Sequence, residues 1–259
     1  FHMDIAASVQ AVTEEVILTM TKSLAKEFNI SNLCMAGGVA LNCVANGKIL
    51  QDKSFKDVWI QPASGDSGGA LGVALALWHI ELDKPRTVNA KDSMKGSYLG
   101  PMYEQGSIEK ELLDCGAKFD SVTEDEMIEQ TSQALADGKA VGWFQGRMEF
   151  GPRSLGGRSI LGDPRSEKMQ KTLNLKVKYR ESFRPFAPSV LREDVSEWFE
   201  HETDSPYMLL VADVQGDKRR AMTEQEEGEI NPSTDFSGLW KRSDYDPETG
   251  KAKFNPHYK

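Results

Sequence analysis

Twice in the first eighty residues a short apolar run breaks at small residues and resumes as a helix-forming stretch. The two stretches are NLCMAGGVALNCVANGKIL (32–50) and DVWIQPASGDSGGALGVALALW (57–78). A repeated order of strand, Gly-rich loop and helix confines this part of the chain to α/β architecture, since a strand–helix–strand crossover joins parallel neighbours. The pattern predicts buried strands over 33–35 and 57–62, a helix over 39–50, and a second helix from the ASGDSGG loop through Trp78. Upstream, Asp4 can cap a helix in which Ile5, Val9, Val12, Val16, Met20, Leu24 and Phe28 recur at three- and four-residue spacing, one apolar stripe of about seven turns. In strand–loop–helix units ligands gather where strand ends meet helix starts, because free backbone N–H groups and the helix dipole favour phosphate there.

Residues 81–97 are polar with no apolar period and read as a linker. From Tyr98 the pattern is mixed α/β. EDEMIEQTSQALADGK reads as a helix stopped by Gly138, AVGWFQGRMEF as a strand, SILGD as a short strand and RSEKMQKTLNLKV as a helix. FAPSVL reads as a strand, REDVSEWFE as a helix and SPYMLLVADV as a strand. From about residue 220 the chain is polar, with turn signals at Asn231-Pro232, Asp246-Pro247 and Thr249-Gly250, and reads as an irregular or truncated tail.

Charge is distributed unevenly. Residues 139–192 carry twelve Lys or Arg against four Asp or Glu, a local net of +8, which leaves −17 on the rest of a chain whose net is −9. Such segregation marks a localised anion site on an acidic, solubilising surface. A long nucleic acid would be repelled by the other seventeen charges, so a small phosphorylated ligand fits better, although KVKYRESFRPFAP interleaves bases with Phe183 and Phe186 as a nucleic-acid binder would. The longest apolar stretch, residues 68–80, is too short to cross a bilayer. Phe1 opens straight into the amphipathic pattern, so no leader is expected. Cys34, Cys43 and Cys115 are odd in number and lack CxxC spacing, and the first two are expected as small buried hydrophobes; a reducing cytoplasm is predicted. His2, His79, His201 and His257 are scattered and build no metal site among themselves.

Three motifs carry chemistry. GGVALN (37–42) is either a tight strand-to-helix turn or a place where bare backbone approaches a nucleotide. PASGDSGGALG (62–72) sets Asp66 among small residues, either as a helix N-cap or as a hard metal ligand beside phosphate. GRMEFGPRSLGGRSILGDPR (146–165) places Arg147, Arg153, Arg158 and Arg165 beside Gly and Pro, where a rigid irregular backbone can aim guanidinium forks at carboxylate or phosphate.

In this order AGGVALN, PASGDSGGALG, GRMEFGPRSLGGRSILGDPR and KYRESFRPFAPSV resemble the signature blocks of the carbamoyltransferase family of nodulation-protein, cephalosporin and tobramycin type, over residues 1–214. The resemblance implies the C-terminal half of an actin/Hsp70-type (ASKHA) domain at 1–80, a linker at 81–97, a YrdC-like mixed α/β domain at 98–219 and a tail at 220–259. It implies carbamoyl-adenylate made from carbamoyl phosphate and ATP, and carbamoyl transfer to a small hydroxyl-bearing acceptor, with no nucleic-acid or membrane partner and a homodimer admissible. Arg153, Lys178 and Arg184 match the residues that carry the chemistry on carbamoyl phosphate and the adenylate. Arg147, Arg158 and Arg180 are further candidate substrate ligands. Gly37, Gly38, Asn42 and Gly65 fall on the nucleotide-contacting loops, and Asp66 matches a ligand of a divalent metal (Fe, Mg or Mn).

The departures matter too. The family's remaining metal ligands form an HxxxH pair, and no HxxxH occurs here; the helix at Asp4 corresponds to the middle of the family's transfer domain. The expectation is therefore a C-terminal portion that would adenylate weakly and would not transfer alone. Two other classes stay open: a threonylcarbamoyl-adenylate synthase-like tRNA-modification protein, which would favour threonine and bicarbonate, and a nonenzymatic nucleotide-binding module.

Overall fold

A computed structural model of the chain describes residues 2–89, 91–182 and 184–223. Phe183 and most of the stretch read as a tail, residues 224–259, lie outside the described residues. The mixture of helix and sheet is α/β, and the chain divides after Asp213.

In the first unit, helix α1 (His2–Phe28) precedes β1 (Asn32–Met35), α2 (Cys43–Asp52), β2 (Asp57–Ile60) and α3 (Asp66–Ala76). β1 and β2 pair in parallel from Asn32↔Asp57 to Met35↔Ile60, the crossover that the repeated motif dictates. The 39–50 stretch is not one helix. A 3₁₀ turn, Gly38–Leu41, stops at Asn42, whose side chain accepts from Ala45 N–H at 3.1 Å and starts α2. α3 passes into a π turn at Leu77–Glu81.

The strands are less buried than expected: outward positions of β1 are exposed, and Cys34 with them, because this sheet has only two strands and one covered face. α1 meets α2 through its polar side. Gln10 exchanges hydrogen bonds with Asn42 (3.1 and 2.9 Å), Glu14 pairs with Lys48, and Lys22 pairs with Asp52 at 2.6 Å. The apolar stripe from Ile5 to Phe28 points outward and is exposed.

Past the 81–97 stretch come α4 (Gln105–Asp114), which no sequence signal announced, α5 (Glu124–Ala136), β3 (Val141–Phe144) and β4 (Arg158–Leu161). α5 starts at a capping box in which Thr123 and Glu126 bond reciprocally. β3 and β4 run antiparallel with Trp143 opposite Ser159. α6 (Met169–Thr172) continues as a π turn, Leu173–Val177, and α7 (Val195–Trp198) follows a 3₁₀ turn.

FAPSVL is not a strand: Pro188 within it has no N–H to give a ladder, and Pro185 stands just before it. SPYMLLVADV is not a strand over its described length in this unit. Met208 turns into the left-handed region (φ 52), Leu209 O accepts from Asn46 Nδ2 (2.9 Å), and Val211 O lies where a methyl on Gly47 would be only 2.3 Å away. The segment is held by α2 instead of a neighbouring strand.

The core gathers Ala40 from the GGVALN motif, Ile60 from β2, Met94, and Tyr207 and Leu209 from that segment, with Phe150 and Leu155 packed against it. The polar 81–97 stretch thus ends inside the fold: Asp92 accepts from Met94 N–H and Gly96 N–H, each at 3.0 Å, and from the Tyr207 hydroxyl. In the second unit the described residues form a 3₁₀ turn, Gly216–Lys218, with Arg219 Nε donating to Val214 O at 2.6 Å.

Candidate functional site

The first part of the Arg-rich motif forms the connection between β3 and β4, closed by Gln145 N–H donating to Gly157 O at 3.0 Å. The one acid of that connection, Glu149, organises it. Glu149 has no exposed side-chain surface; Oε1 accepts from the N–H groups of Leu155 (2.6 Å), Gly157 (2.8 Å) and Arg158 (3.3 Å), and Oε2 from Arg158 Nε (3.0 Å). Burial alone would push this carboxyl up. Hydrogen bonds from the Leu155 N–H, its own backbone, the Arg158 side chain and the Gly157 N–H outweigh burial and hold it down at about 2. Arg158 is therefore paired inside the protein.

Arg153 reaches the first motif. Its Nη2 donates to Leu41 O at 3.0 Å, while its Nε is buried with no partner among the described residues. Leu41 ends the turn that follows Gly37, whose φ of 96° and ψ of 161° favour a residue without Cβ. Gly37 N–H donates to Ser64 O at 2.9 Å, and a methyl on Gly151 would stand 3.3 Å from Pro62 O. Three loops, 37–42, 62–66 and 150–158, thus meet around Arg153. Gly38 opens on free space, and Gly65 is the N-cap residue of α3 beside Leu41. Asn42 is engaged within the protein, as the cap of α2 and the partner of Gln10.

Asp66 is the first residue of α3 and is exposed; the helix has no side-chain cap, so the N-cap reading is not realised. Neither is a metal cage: among the described residues no three His, Cys, Asp or Glu side chains gather to hold an ion. Asp66 supplies one carboxylate, whereas a divalent metal takes several oxygen or nitrogen ligands, so the described residues alone do not complete such a site.

Lys178, Arg180 and Arg184 lie on a second basic loop after α6. Asn174, wholly buried, donates from Nδ2 to Ser182 O (3.1 Å) and Arg184 O (2.8 Å) and accepts from Arg180 Nε (2.6 Å). Arg180 also lies 4.9 Å over the Phe186 ring, and Arg184 pairs with Glu181 at 2.8 Å. Lys178 is exposed, with no side-chain partner among the described residues. The loop rests on the hairpin through Gly162, where a methyl would come within 2.8 Å of Met169 Cγ and 3.1 Å of Leu173 Cδ1.

Arg147 donates to Gly100 O at 2.6 Å and borders a cavity of about 390 Å³ lined by Tyr98, Gln145, Gly146, Gly156 and Gly157. Bare backbone and one guanidinium suit an anionic or polar ligand there. A second hollow, of about 370 Å³ on α5, is lined by Glu126, Glu129 and Asp137 and has the wrong sign for phosphate. Arg165 is held bidentately by Asp163 at 2.7–3.0 Å.

Glu149 and Asn174 escape sequence reasoning because neither looks like a ligand. One signal was present: Glu149 is the only acid between Arg147 and Arg158, and an isolated carboxylate in such a run has an arginine within reach.

Comparison with known proteins bears on these loops directly. Residues 2–75 match the family model described as carbamoyltransferase N-terminus, and residues 132–227 match carbamoyltransferase C-terminus. The chain is 54% identical over 228 residues to protein sll1178 of Synechocystis sp., covering 87% of this chain and 37% of that protein. It is 39% identical over 225 residues to nodulation protein NolNO of Sinorhizobium fredii (85% and 32%). To nodulation protein NolO of Bradyrhizobium diazoefficiens it is 42% identical over 200 residues (77% and 36%). The chain spans about a third of the length of these relatives. No described helix is long and apolar enough to cross a membrane.

Proposed function

Because this chain belongs to the carbamoyltransferase family, we propose that its two basic loops bind carbamoyl phosphate and ATP during formation of carbamoyl-adenylate, from which the carbamoyl group passes to an acceptor hydroxyl. On this reading residues 1–80 belong to an actin/Hsp70-type fold and residues 98–219 to a YrdC-like one. Water releases carbamate and phosphate from carbamoyl phosphate. A carbamate oxygen then attacks the α-phosphorus of ATP and pyrophosphate leaves. In the transfer, the acceptor oxygen attacks the carbamoyl carbon, AMP leaves and the hydroxyl proton is lost. Negative charge grows on the leaving group at each step, and preorganised guanidinium and ammonium groups stabilise it. Arg153, Lys178 and Arg184 are assigned that role, with Arg147 and Arg180 beside them.

The observation that carries the proposal is the Arg153 Nε: a buried, charged donor without an acceptor among the described residues, at the point where three signature loops meet. Buried donors left unsatisfied are costly, and an anion bound there would supply the missing acceptor.

The test is pyrophosphate release from ATP with carbamoyl phosphate, in the wild type and in Arg153→Ala and Lys178→Ala. Release should require carbamoyl phosphate and fall about 100-fold in Arg153→Ala, the scale of losing one preorganised donor. Equal release in both variants would overturn the assignment. Release driven instead by threonine and bicarbonate would move the protein to the threonylcarbamoyl-adenylate class.

A further inference from the structure

We infer that Asn174 is a positioning residue for the second basic loop, acting through Lys178 and Arg184; this rests on the phosphate-binding role proposed above for that loop. The geometry is that of a clamp. Asn174 sits at 0% exposure in the π turn Leu173–Val177, next in sequence to Leu173, which with Met169 is buried and lies against Gly162 just after β4. From that fixed base its Nδ2 spans to Ser182 O (3.1 Å) and Arg184 O (2.8 Å), its Oδ1 accepts from Arg180 Nε (2.6 Å), and its backbone carbonyl accepts from Arg180 N–H (3.0 Å). Both amide protons and the amide oxygen are used.

Between those contacts the backbone reverses at Tyr179, which has φ 50° and is 86% exposed. A left-handed non-glycine turn persists only where its surroundings over-determine it. Here the surroundings are Lys178 N–H bonded to Leu173 O (2.9 Å) on one limb and the Asn174 amide on the other. Gln170, one turn earlier, adds a second donor to Arg184 O at 3.1 Å.

The two termini of this reversal are Lys178 and Arg184. Among the described residues between Lys178 and Leu191 there is no helix or strand, so no ladder there fixes the separation of the two cations. The Asn174 side chain fixes it instead, by gripping the carbonyl of Arg184 itself. As a neutral group it sets direction without cancelling charge, leaving Lys178 free of any side-chain partner among the described residues.

A residue that only stabilised the fold would lower activity independently of Lys178. A positioning residue acts through it, and a double-mutant cycle separates the two. Carbamoyl-phosphate-dependent pyrophosphate release is measured for wild type, Asn174→Ala, Lys178→Ala and the double variant, with KM for carbamoyl phosphate and kcat resolved and thermal midpoints recorded. Asn174→Ala should raise KM about tenfold in the wild-type background and clearly less once Lys178 is gone, where only its effect on Arg184 remains, because interacting residues are non-additive. Gln170→Ala, an exposed change that spares the core, should shift KM the same way by about twofold and by less in Lys178→Ala. Additive losses in both cycles, or an unchanged KM in Asn174→Ala while Lys178→Ala is impaired, would overturn the positioning role. A Lys178→Ala enzyme with wild-type kinetics would instead remove the phosphate-binding reading on which this role rests.

Discussion

The two basic loops are held by opposite means. In the β3–β4 connection the anchor is an ion, Glu149, which collects three backbone N–H groups and a guanidinium; after α6 it is a neutral amide, Asn174, which collects two backbone carbonyls and a guanidinium. The difference follows from what each loop turns inward. N–H groups call for an acceptor and favour a carboxylate, whereas carbonyls need a donor, and a buried lysine there would add to an already positive loop. The consequence is electrostatic. Glu149 cancels the charge of Arg158 and leaves Arg147 and Arg153 for a ligand, while Asn174 cancels nothing.

The comparison breaks most sharply at Glu149. Glu149→Ala strands three N–H groups in the interior, leaves the half-buried Arg158 guanidinium unpaired, and should destabilise by about 3 kcal/mol in urea unfolding, more than Asn174→Ala, which loses bonds to two neutral carbonyls and one guanidinium. Equal losses would mean that the charge on the anchor is immaterial.

Acid should tell the anchors apart next. The Glu149 carboxyl is at about 2 when folded against an ordinary 4.5. Its contribution is fully present above 4.5 and is lost as pH falls from 4.5 toward 2, because the unfolded chain takes up the proton first. Arg158 is 37% exposed, and allowing for solvent screening the loss is about 2 kcal/mol across that window. Glu149→Gln should flatten the stability–pH slope between 4.5 and 2 relative to the wild type, and Asn174→Ala should leave it unchanged. A slope that stays steep in Glu149→Gln would place the acid sensitivity in other carboxylates.

A smaller effect sharpens the same contrast through space instead of charge. Gly157 does not lie in the left-handed region, so alanine there meets no backbone strain; its methyl would, however, come 2.9 Å from Arg147 O and 3.0 Å from Glu149 Oε2. Gly157→Ala should cost about 1–2 kcal/mol by crowding the carboxylate. That loss should shrink when combined with Glu149→Ala, and an undiminished loss would show that the crowding falls on the backbone alone.

How much of this was legible without coordinates depends on range. The long helix, the β1–α2–β2 crossover and β4 follow from local periodicity and from Gly-rich breaks, and the structure has them within a few residues, whereas β3 stops at Phe144, well short of the strand read through Phe150, because the Arg-rich loop begins there. So too was the family, because its blocks are local. What failed depended on contacts made far along the chain. SPYMLLVADV has a strand's composition, yet Asn46, 163 positions away from Leu209, takes its carbonyl. The stripe on α1 has a core's periodicity, yet Gln10, Glu14 and Lys22 meet α2 instead. At the candidate site, the arginines were conspicuous by type, but which were already paired depended on Glu149, Asp163 and Glu181.

Arg165 gives the smallest expected effect and the strictest check on that sorting. It belongs to the same motif as Arg153 and would count equally in any tally of positive charge. Yet it is 78% exposed, and its guanidinium lies bidentate on Asp163, whose carboxyl it holds below the usual range through its side-chain and backbone hydrogen bonds. With the guanidinium mostly in water, such a pair of near neighbours contributes little to folding, since solvent screens it and both side chains lose freedom to form it. Arg165→Ala should therefore leave the urea midpoint and the KM for carbamoyl phosphate at their wild-type values, while Arg153→Ala changes KM or kcat. If Arg165→Ala weakened carbamoyl phosphate as much as Arg153→Ala, the loop would act through summed charge, and the distinction between paired and unpaired arginines would lose its force.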